Sequence, residues 1–392
     1  MLKMRNIYQS SSLCASLLLL CFTTGCSAQI DTEQHNKAVA AASNSPQSLQ
    51  SYQVHAIADF NEPWAFVELP NGQLLITEKA GKLKLFNPKT RQILDVQAVP
   101  RVAYGGQGGL GDVVLDPDFQ QNQFIYLSYA ESGIGGYGAV VIRAKLLLDV
   151  KSAPKLTQIQ RIWQQTPKVS GQGHYAHRMQ FGADGKLWIS SGERQKFEPA
   201  QDLKGNLGKI LRLNADGTSP RDNPFQQHGE IAKQVWSLGH RNPLGMAFDA
   251  KGQLWVAEMG PKGGDELNVI VKGENYGYPL VSNGDHYNGL PIPDHATRPE
   301  FKAPVLDWTP VISPSSLIFY TGDVFPQWKN KALLGGLSSQ AIIVVDTQTK
   351  PAQEIQRLPI GQRIRGLLQA KDGNIWVIED GKSARLLKLT AK

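Results

Sequence analysis

One short pattern of polar and hydrophobic positions recurs six times along the chain. Each copy begins with a turn that contains Gly or Asn and continues into a short alternating segment with an aliphatic or aromatic centre. The copies are residues 71–76, 121–127, 184–189, 251–256, 331–334 and 372–377. Because such segments are typical of β-strands, the chain is predicted to be built from a repeated β unit.

The spacing of the copies predicts the architecture. They lie about 40 to 80 residues apart, as expected for propeller blades of roughly 40 to 50 residues that carry loop insertions. The fold class is therefore predicted to be all-β, a six-bladed β-propeller of four-stranded antiparallel blades that spans residues 53–392. A pair of β-sandwiches is the alternative, and irregular spacing of a constant motif disfavours it.

A propeller brings distant segments of the chain together. Its loops meet at one end of the central channel, so residues far apart in sequence can share one pocket. The long insertion at residues 272–307, with His286, Tyr287 and His295, is predicted to be such a loop on the top face.

The first residues follow a different pattern, that of an export signal. Basic Lys3 and Arg5 precede an apolar stretch at residues 12–22 that is too short to span a bilayer as a mature helix. Thr24, Gly25 and Cys26 then resemble the processing site of a lipoprotein, with cleavage by the ordinary signal peptidase as the alternative.

We therefore predict three parts. Residues 1–26 form a lipoprotein-type signal peptide, residues 27–52 a flexible tether rich in Ser, Ala, Gln and Asn, and residues 53–392 the propeller. The expected location is the periplasm, with a lipid anchor on Cys26 in the outer membrane.

Cysteine usage and charge limit the chemistry of the folded part. All three cysteines lie in the leader, so the propeller has neither a disulfide nor a thiolate metal site. The hydrophobic content of 41%, with 38 Gly and 23 Pro, suits a large turn-rich core. The net charge of +7 includes no Lys/Arg run, so nucleic acid is not an expected partner.

The densest cluster of Gly, Pro and charge lies at residues 239–279. It flanks the strand at residues 253–257 and carries Arg241 and Asn242 on one side and Gly260 and Pro261 on the other. Such loops suit an anionic ligand or a metal ion, because glycines let backbone carbonyls approach an ion closely. A Gly-rich turn with solvated charges is the alternative.

A second candidate stretch enters the third repeat and contains His174, His177 and Arg178. The two histidines are three residues apart, so they are candidate metal ligands or structural residues. Histidine also takes up a proton near neutral pH, which makes either one a candidate general base.

Two further stretches precede the second and sixth repeats. The glycine-rich loop at residues 104–112 carries Gln107 and leads into no helix, so it is not a nucleotide loop. Arg363 and Arg365, two residues apart on an extended segment, face the same side. Such a pair suits a ligand with several carboxylates, and a solvated pair at a strand edge is the alternative.

Together these stretches resemble the glucose/sorbosone dehydrogenase family, soluble quinoprotein aldose dehydrogenases that use pyrroloquinoline quinone (PQQ) and calcium. The resemblance covers nearly all of the chain after about residue 53. The residues that carry it, in chain order, are Gln107, His174, Arg178, Arg241, Asn242, Gly260, Pro261, Arg363 and Arg365.

The resemblance implies roles for these residues. His174 would take the proton of the sugar C1 hydroxyl, and Arg241 together with calcium would activate the quinone carbon that receives the hydride. The residues implied as PQQ contacts are Gln107, Arg241, Asn242, Arg363 and Arg365. The backbone carbonyls of Gly260 and Pro261 would hold the catalytic calcium.

Further implied sites are less specific. Asp265 and Glu266 match positions that bind another calcium near the subunit contact in some relatives, and an ion pair with Lys262 is the alternative. Tyr278 and Trp308 are candidates for the wall against which an aldose ring stacks, although buried tryptophans more often serve the core.

Two departures from the family pattern stand out. His177 occupies a position where many relatives have Gly, so it competes with His174 for the catalytic role or reshapes the pocket. Ser338 stands where some relatives carry a Lys that faces the cofactor, which implies a weaker or rearranged grip on PQQ.

The predicted function is oxidation of an aldose at C1 to the lactone, dependent on PQQ and calcium. Electrons would pass to an external acceptor, since no dinucleotide fingerprint on a βαβ unit is present. The alternatives are a calcium-dependent propeller lactonase or hydrolase, and a non-catalytic propeller that binds a saccharide or a partner. A monomer and a homodimer are both compatible with the sequence.

Overall fold

Six four-stranded antiparallel sheets make up the fold in the computed structural model, which describes residues 52–149 and 152–392. The predicted all-β, six-bladed propeller is confirmed. The predicted signal peptide and Cys26 lie outside the described residues, as does the tether up to residue 51. Tyr52, which was expected in the tether, begins the first strand.

The first strand, β1 (Tyr52–Phe60), is the outermost strand of the last blade. The other blade strands follow one another along the chain from the channel outward within their blade. Blade 1 contains β2 (Pro63–Glu68), β3 (Leu74–Glu78), β4 (Lys82–Phe86) and β5 (Ile93–Asp95). Blade 2 contains β6 (Leu110–Leu115), β7 (Phe124–Gly133), β8 (Gly136–Leu147) and β9 (Lys155–Gln164). Blade 3 contains β10 (Ala176–Phe181), β11 (Leu187–Ser191), β12 (Lys209–Leu213) and β13 (Val235–Leu238).

Blade 4 contains β14 (Pro243–Phe248), β15 (Leu254–Glu258), β17 (Asp265–Val269) and β19 (Leu306–Trp308). A two-stranded sheet of β16 (Lys262–Gly263) and β18 (Gly284–Asp285) lies within its insertions. Blade 5 contains β20 (Pro314–Phe319), β21 (Ala332–Gly336), β22 (Ala341–Asp346) and β23 (Gln353–Pro359). Blade 6 contains β24 (Ile364–Gln369), β25 (Ile375–Glu379), β26 (Ala384–Ala391) and then β1.

Helix is scarce in the described residues. The one α-helix there is α1 (Phe119–Asn122), and the 3₁₀ turns are Glu198–Ala200, Ala232–Gln234, His295–Thr297 and Pro326–Trp328. Within residues 52–149 and 152–392, no helix has the length and apolar character needed to cross a bilayer.

The ring closes by pairing the two ends of the folded chain. Strand β1 forms the outer strand of blade 6 and runs antiparallel to β26, with Tyr52 opposite Ala391. Inner strands contact their neighbours in order around the channel, and β24 of blade 6 meets β2 of blade 1. Opening the ring would therefore require breaking the β1–β26 ladder or a blade interface.

The recurring sequence pattern is the turn and second strand of each blade. These strands are buried on both faces, because successive side chains point to opposite sides and each side packs on a different neighbouring blade. In β11, Leu187 and Ile189 join the core with blade 2, whereas Trp188 joins the core with blade 4. Six such hydrophobic clusters fill the six blade interfaces.

The start of every inner strand is irregular in the same way. All six pairs of inner and second strands shift register within the first few residues of the inner strand. Such bulges re-aim side chains near functional sites. The predicted site residues Gln107, His174, Arg241 and Arg363 all lie just before an inner strand, so the fold gathers them at one end of the channel.

Candidate active site

Arg178 occupies the central channel and ties the blades together. Its Nε donates to the Leu244 carbonyl and its Nη2 to the Ser315 carbonyl, both at 2.7 Å. Its contacts, one in each of the other five blades, are with Trp64, Asp112, Leu244, Ser315 and Arg365. Arg178, which belongs to the predicted set, therefore links the inner strands of the blades and does not line any of the cavities described below.

His174 and Glu193 form a buried pair beside the channel mouth. The Nδ1 of His174 lies 2.5 Å from a Glu193 carboxylate oxygen, and the backbone N–H of His174 donates to the Gln107 side chain at 2.8 Å. The other Glu193 oxygen accepts the backbone N–H groups of Lys196 and Phe197. The carboxylate thus assigns the imidazole proton to Nδ1 and leaves Nε2 as a proton acceptor.

Burial governs the protonation of this pair. It lowers the pKa of His174, although the hydrogen bond that His174 donates to Glu193 acts in the opposite direction. Burial raises the pKa of Glu193, yet the hydrogen bonds from His174 and from the Phe197 N–H, together with the charge of Arg241, oppose it and the net pKa is lowered. The pair is therefore a neutral imidazole held by an ionised carboxylate, the arrangement of a poised general base.

His174 opens onto a cavity of about 280 Å³, termed the histidine cavity. Its lining is His174, Glu193, Gln195, Phe197, Arg241, Pro261, Tyr278, His286, Tyr287 and Asn288. The structure thus brings His174, Arg241 and Tyr278 together. The predicted top-face insertion supplies His286 and Tyr287, whereas His295 is buried elsewhere against the Tyr276 carbonyl.

Arg241 is held at this cavity from several sides. Its Nη1 donates to the Met259 carbonyl at 2.9 Å and its Nη2 to the Tyr287 hydroxyl at 3.2 Å. Its backbone N–H donates to Glu258, which also accepts the Nδ1–H of His240. Glu258 thereby fixes the turn that presents the Arg241 side chain.

A second cavity, of about 380 Å³, is termed the arginine cavity. Its polar lining includes Glu62, Lys79, Gln107, His177, Arg363, Arg365 and Asp380. Asp380 bridges the arginine pair, with one oxygen 2.9 Å from Arg363 Nε and the other 2.7 Å from Arg365 Nη2. One carboxylate is thus shared by two guanidinium groups, which leaves donors available for further anions.

Several buried polar atoms at this end have no partner among the described residues. They include the Nε of Arg241, both the amide nitrogen and oxygen of Asn242, and both ring nitrogens of His177. Buried polar groups are normally hydrogen-bonded, so these atoms fit a site that receives a polar ligand.

A third cavity, of about 550 Å³, surrounds the turn of Gly260 and Pro261 and is termed the glycine cavity. Asp265 clamps this turn, since its two oxygens accept the backbone N–H groups of Gly260 and Ser313. Burial raises the pKa of Asp265 to about 6, against the lowering effect of these bonds. The cavity shares Pro261 and Tyr287 with the histidine cavity, and Met259 and Ser313 with the arginine cavity.

Glu266, the other predicted ligand for a second calcium, lies opposite Glu258 on adjacent strands. The Asn268 side chain donates to both carboxylates. Burial and the charge of Glu258 raise the pKa of Glu266 well above its usual range. In residues 52–149 and 152–392 no three or more His, Cys, Asp or Glu side chains are grouped to hold a metal ion.

The structure separates Trp308 from Tyr278. Trp308 lies in β19, the outer strand of blade 4, where it packs in the core between blades 4 and 5. Its indole N–H donates to Glu354 at 2.8 Å. Trp308 therefore does not form a wall of the histidine cavity, because outer strands lie far from the channel.

The two departures from the family pattern lie in different surroundings. His177 is buried between Tyr175 and Trp64 at the arginine cavity. Burial, with Arg194 and Arg178, lowers its pKa to about 3, so it is neutral. Ser338 is exposed and donates to the Val311 carbonyl, and it is not part of the arginine cavity lining.

Sequence reasoning missed three acidic residues that hold the site, namely Glu193, Glu258 and Asp380. A signal for them was present. Each lies at or just after the end of the second strand of its blade, that is, immediately after the repeat by which the blades were recognised.

Comparisons with known proteins identify the family. The glucose/sorbosone dehydrogenase family pattern matches residues 60–388. The aldose sugar dehydrogenase YliI of Escherichia coli K12 is 38% identical over 340 residues, which covers 85% of this chain and 91% of that protein.

Solved structures resemble the fold closely. The apo-form of the soluble aldose sugar dehydrogenase from Escherichia coli has a TM-score of 0.80 at 37% identity, over 87% of this chain and 100% of the other. The PQQ-bound aldose sugar dehydrogenase from Streptomyces coelicolor has a TM-score of 0.72 at 27% identity, over 87% and 98% of the two chains. The protein belongs to the glucose/sorbosone dehydrogenase family, a family of oxidoreductases.

Proposed function

We propose that the protein oxidises aldose sugars at C1 to the lactone, depends on PQQ and calcium, and passes electrons to an external acceptor. The observation that carries this proposal is the His174–Glu193 pair, which faces a cavity that adjoins the cation-lined arginine cavity. A base and an anion site are thus placed side by side at one channel mouth.

His174 acts as the general base. Its Nε2 accepts the proton of the C1 hydroxyl, while Glu193 holds the ring and stabilises the imidazolium that forms. The lowered pKa of His174 keeps the ring neutral at neutral pH, so it is ready to accept this proton. Phe197 and Tyr278 offer aromatic surfaces to the sugar ring in the same cavity.

The arginine cavity fits PQQ, a planar tricycle with three carboxylates. Arg363 and Arg365 line this cavity and supply guanidinium donors for carboxylates. Arg241, which lines the histidine cavity, and Asn242 carry unpartnered polar atoms that we propose as further contacts. Gln107 lines the cavity and also orients the His174 backbone. When bound, PQQ supplies the acceptor for the hydride that leaves C1.

The turn of Gly260 and Pro261 is the proposed calcium site. A Cβ on Gly260 would lie 2.2 Å from the Gly264 carbonyl oxygen, so only glycine permits this close packing. Asp265 holds the turn through the Gly260 N–H. Calcium held by this turn would supply a Lewis acid in the glycine cavity.

The lactonase alternative needs several carboxylate or Asn ligands that converge on the channel. The described acidic side chains at this end are instead engaged with His174, Arg178, the arginine pair and backbone N–H groups. The dehydrogenase is therefore the better supported proposal.

Reconstitution tests the proposal. The protein is purified without cofactor, and dye reduction is followed with a panel of aldoses under four conditions: no addition, calcium alone, PQQ alone, and both. We expect sugar-dependent turnover only with both. A folded protein that neither binds PQQ nor turns over would contradict the proposal and favour a lactonase or a binding protein.

We further propose export to the periplasm and a lipid anchor on Cys26. Replacing Cys26 with Ala should move the protein from the membrane fraction to the soluble periplasmic fraction. An unchanged distribution would favour ordinary cleavage.

A further inference from the structure

We propose that Lys79 is a further cofactor-binding residue, whose ammonium group contacts a carboxylate of the ligand in the arginine cavity. The inference rests on the proposed function, since that ligand is PQQ. Lys79 directly follows β3 and lies on blade 1, next to blade 6 with its two arginines.

The Lys79 ammonium group is held near the cavity but is not saturated. Its Nζ donates to the Gly106 carbonyl at 3.1 Å and lies 3.7 Å from a Glu62 oxygen. Its side chain is only 17% exposed. Because an ammonium group has three donors, one hydrogen bond and one long ion pair leave capacity for a ligand oxygen.

The charges that line the cavity single out this lysine. The cations are Lys79, Arg363 and Arg365, and the acids are Glu62 and Asp380. Asp380 is bonded to both arginines. Lys79 is thus the cation whose acidic neighbour lies beyond hydrogen-bond distance.

Glu62 is itself committed to another donor. Its second oxygen accepts the Tyr104 hydroxyl at 2.5 Å. The Glu62 oxygen nearest to Lys79 stays 3.7 Å away, so a ligand carboxylate within hydrogen-bond distance would be the closer partner. Such a charge-assisted bond is stronger than a bond to a neutral carbonyl.

A purely structural role for Lys79 has a different signature. Through Gly106, Lys79 holds the glycine-rich loop that carries Gln107, and Gln107 accepts the backbone N–H of His174. A loop holder would affect any ligand of the cavity, whatever its charge. A carboxylate contact affects only ligands that carry the charge.

The experiment separates these roles by ligand chemistry. Cofactor-free wild-type protein and the Lys79→Met, Lys79→Arg and Lys82→Met variants are titrated with PQQ and with its trimethyl ester, which has the same tricycle without carboxylate charge. Quenching of tryptophan fluorescence gives the dissociation constants. Lys82, exposed at the start of β4, is the matched control.

We expect Lys79→Met to weaken PQQ binding by about tenfold or more, since a hydrogen bond between two charged groups is lost. Binding of the ester should be unchanged, the salt dependence of PQQ binding should become shallower, and Lys79→Arg should retain most of the affinity. Lys82→Met should match the wild type.

Two results would overturn the inference alone: PQQ affinity unchanged in Lys79→Met, or equal losses for PQQ and the ester, which would mark a loop holder. Failure of the wild-type protein to bind PQQ would instead overturn the proposed function, and this inference with it.

Discussion

Glu193 fixes both the orientation and the proton of the His174 ring. Its two oxygens are fully occupied, one by His174 and the other by the N–H groups of Lys196 and Phe197. A rigid carboxylate of this kind keeps one tautomer of the imidazole and stabilises its protonated form during proton transfer.

Replacing Glu193 with Gln should therefore reduce kcat strongly while leaving KM nearly unchanged. We expect a loss of roughly 100-fold or more, because the tautomer is no longer fixed and the imidazolium is no longer stabilised. Steady-state dye reduction with the reconstituted enzyme measures this. PQQ titration of the same variant is the control, since the cofactor should still bind, and a loss confined to KM would contradict the assigned role.

The pH profile of the wild-type enzyme offers a second test at this scale. His174 must be neutral to act as a base, and burial lowers its pKa from 6.5. Activity should therefore persist below pH 6.5 and decline only as the pH falls through the lowered pKa. Because Glu193 raises the pKa of His174, the Glu193→Gln variant should show this decline at still lower pH. A shift toward higher pH would contradict this account.

Single residues also show how far sequence reasoning could reach. His174 and the arginine pair were found because short motifs mark them, and the structure places them at two adjoining cavities. Glu193 was missed because it lies 19 residues after His174 and meets it only through the fold. Trp308 was misplaced because an aromatic side chain suits a sugar-stacking wall and a blade core equally well, and the sequence does not show which of the two it joins.

At the scale of elements, the turn of Gly260 and Pro261 lines the glycine cavity, which shares lining residues with the histidine cavity and with the arginine cavity. The strand β16 that follows it pairs with β18, which leads to His286 and Tyr287 in the histidine cavity. One short sheet thus connects the proposed metal site with the loop that lines the proposed substrate site.

Replacing Gly260 with Ala should raise the calcium concentration needed for half-maximal activity by about tenfold or more, because the Gly264 carbonyl must move to admit the Cβ. Gly252→Ala, in the same blade where a Cβ meets open space, is the control. It should cost about 1 kcal/mol through its positive φ and leave the calcium requirement unchanged. Equal calcium requirements in the two variants would argue against this turn as the metal site.

The elements themselves were largely predictable. Each repeat marks a second strand, the most regular part of a blade, because both of its faces are packed. The closing strand β1 carries no copy of the repeat, so its place in blade 6 was not foreseen. The structure reveals it through the pairing of β1 with β26, which begins with Tyr52 opposite Ala391.

At the scale of the molecule, the six blades share one central contact. Arg178 donates to backbone carbonyls on blades 4 and 5, stacks on Trp64 of blade 1 and faces Asp112 of blade 2. Burial raises the pKa of Asp112, and the charge of Arg178 opposes that rise. The stability of the ring is thus tied to a single buried cation.

Replacing Arg178 with Met should lower the free energy of unfolding by about 3 kcal/mol or more at pH 8, since Asp112 keeps a buried charge without its partner. The pKa of Asp112 should then rise further in the folded variant, so the folded state binds a proton at a higher pH than the unfolded chain. Stability is regained as the pH falls through this raised pKa, because the neutral carboxyl tolerates burial.

Urea unfolding at pH 8 and at pH 5 measures this, with Arg161→Met as the control, because Arg161 lies in an exposed ion pair with Glu131. The deficit of Arg178→Met relative to wild type should shrink at the lower pH, and the control should differ little from wild type at either pH. A deficit independent of pH would show that the lost carbonyl contacts, rather than the charge of Asp112, govern the stability of the ring.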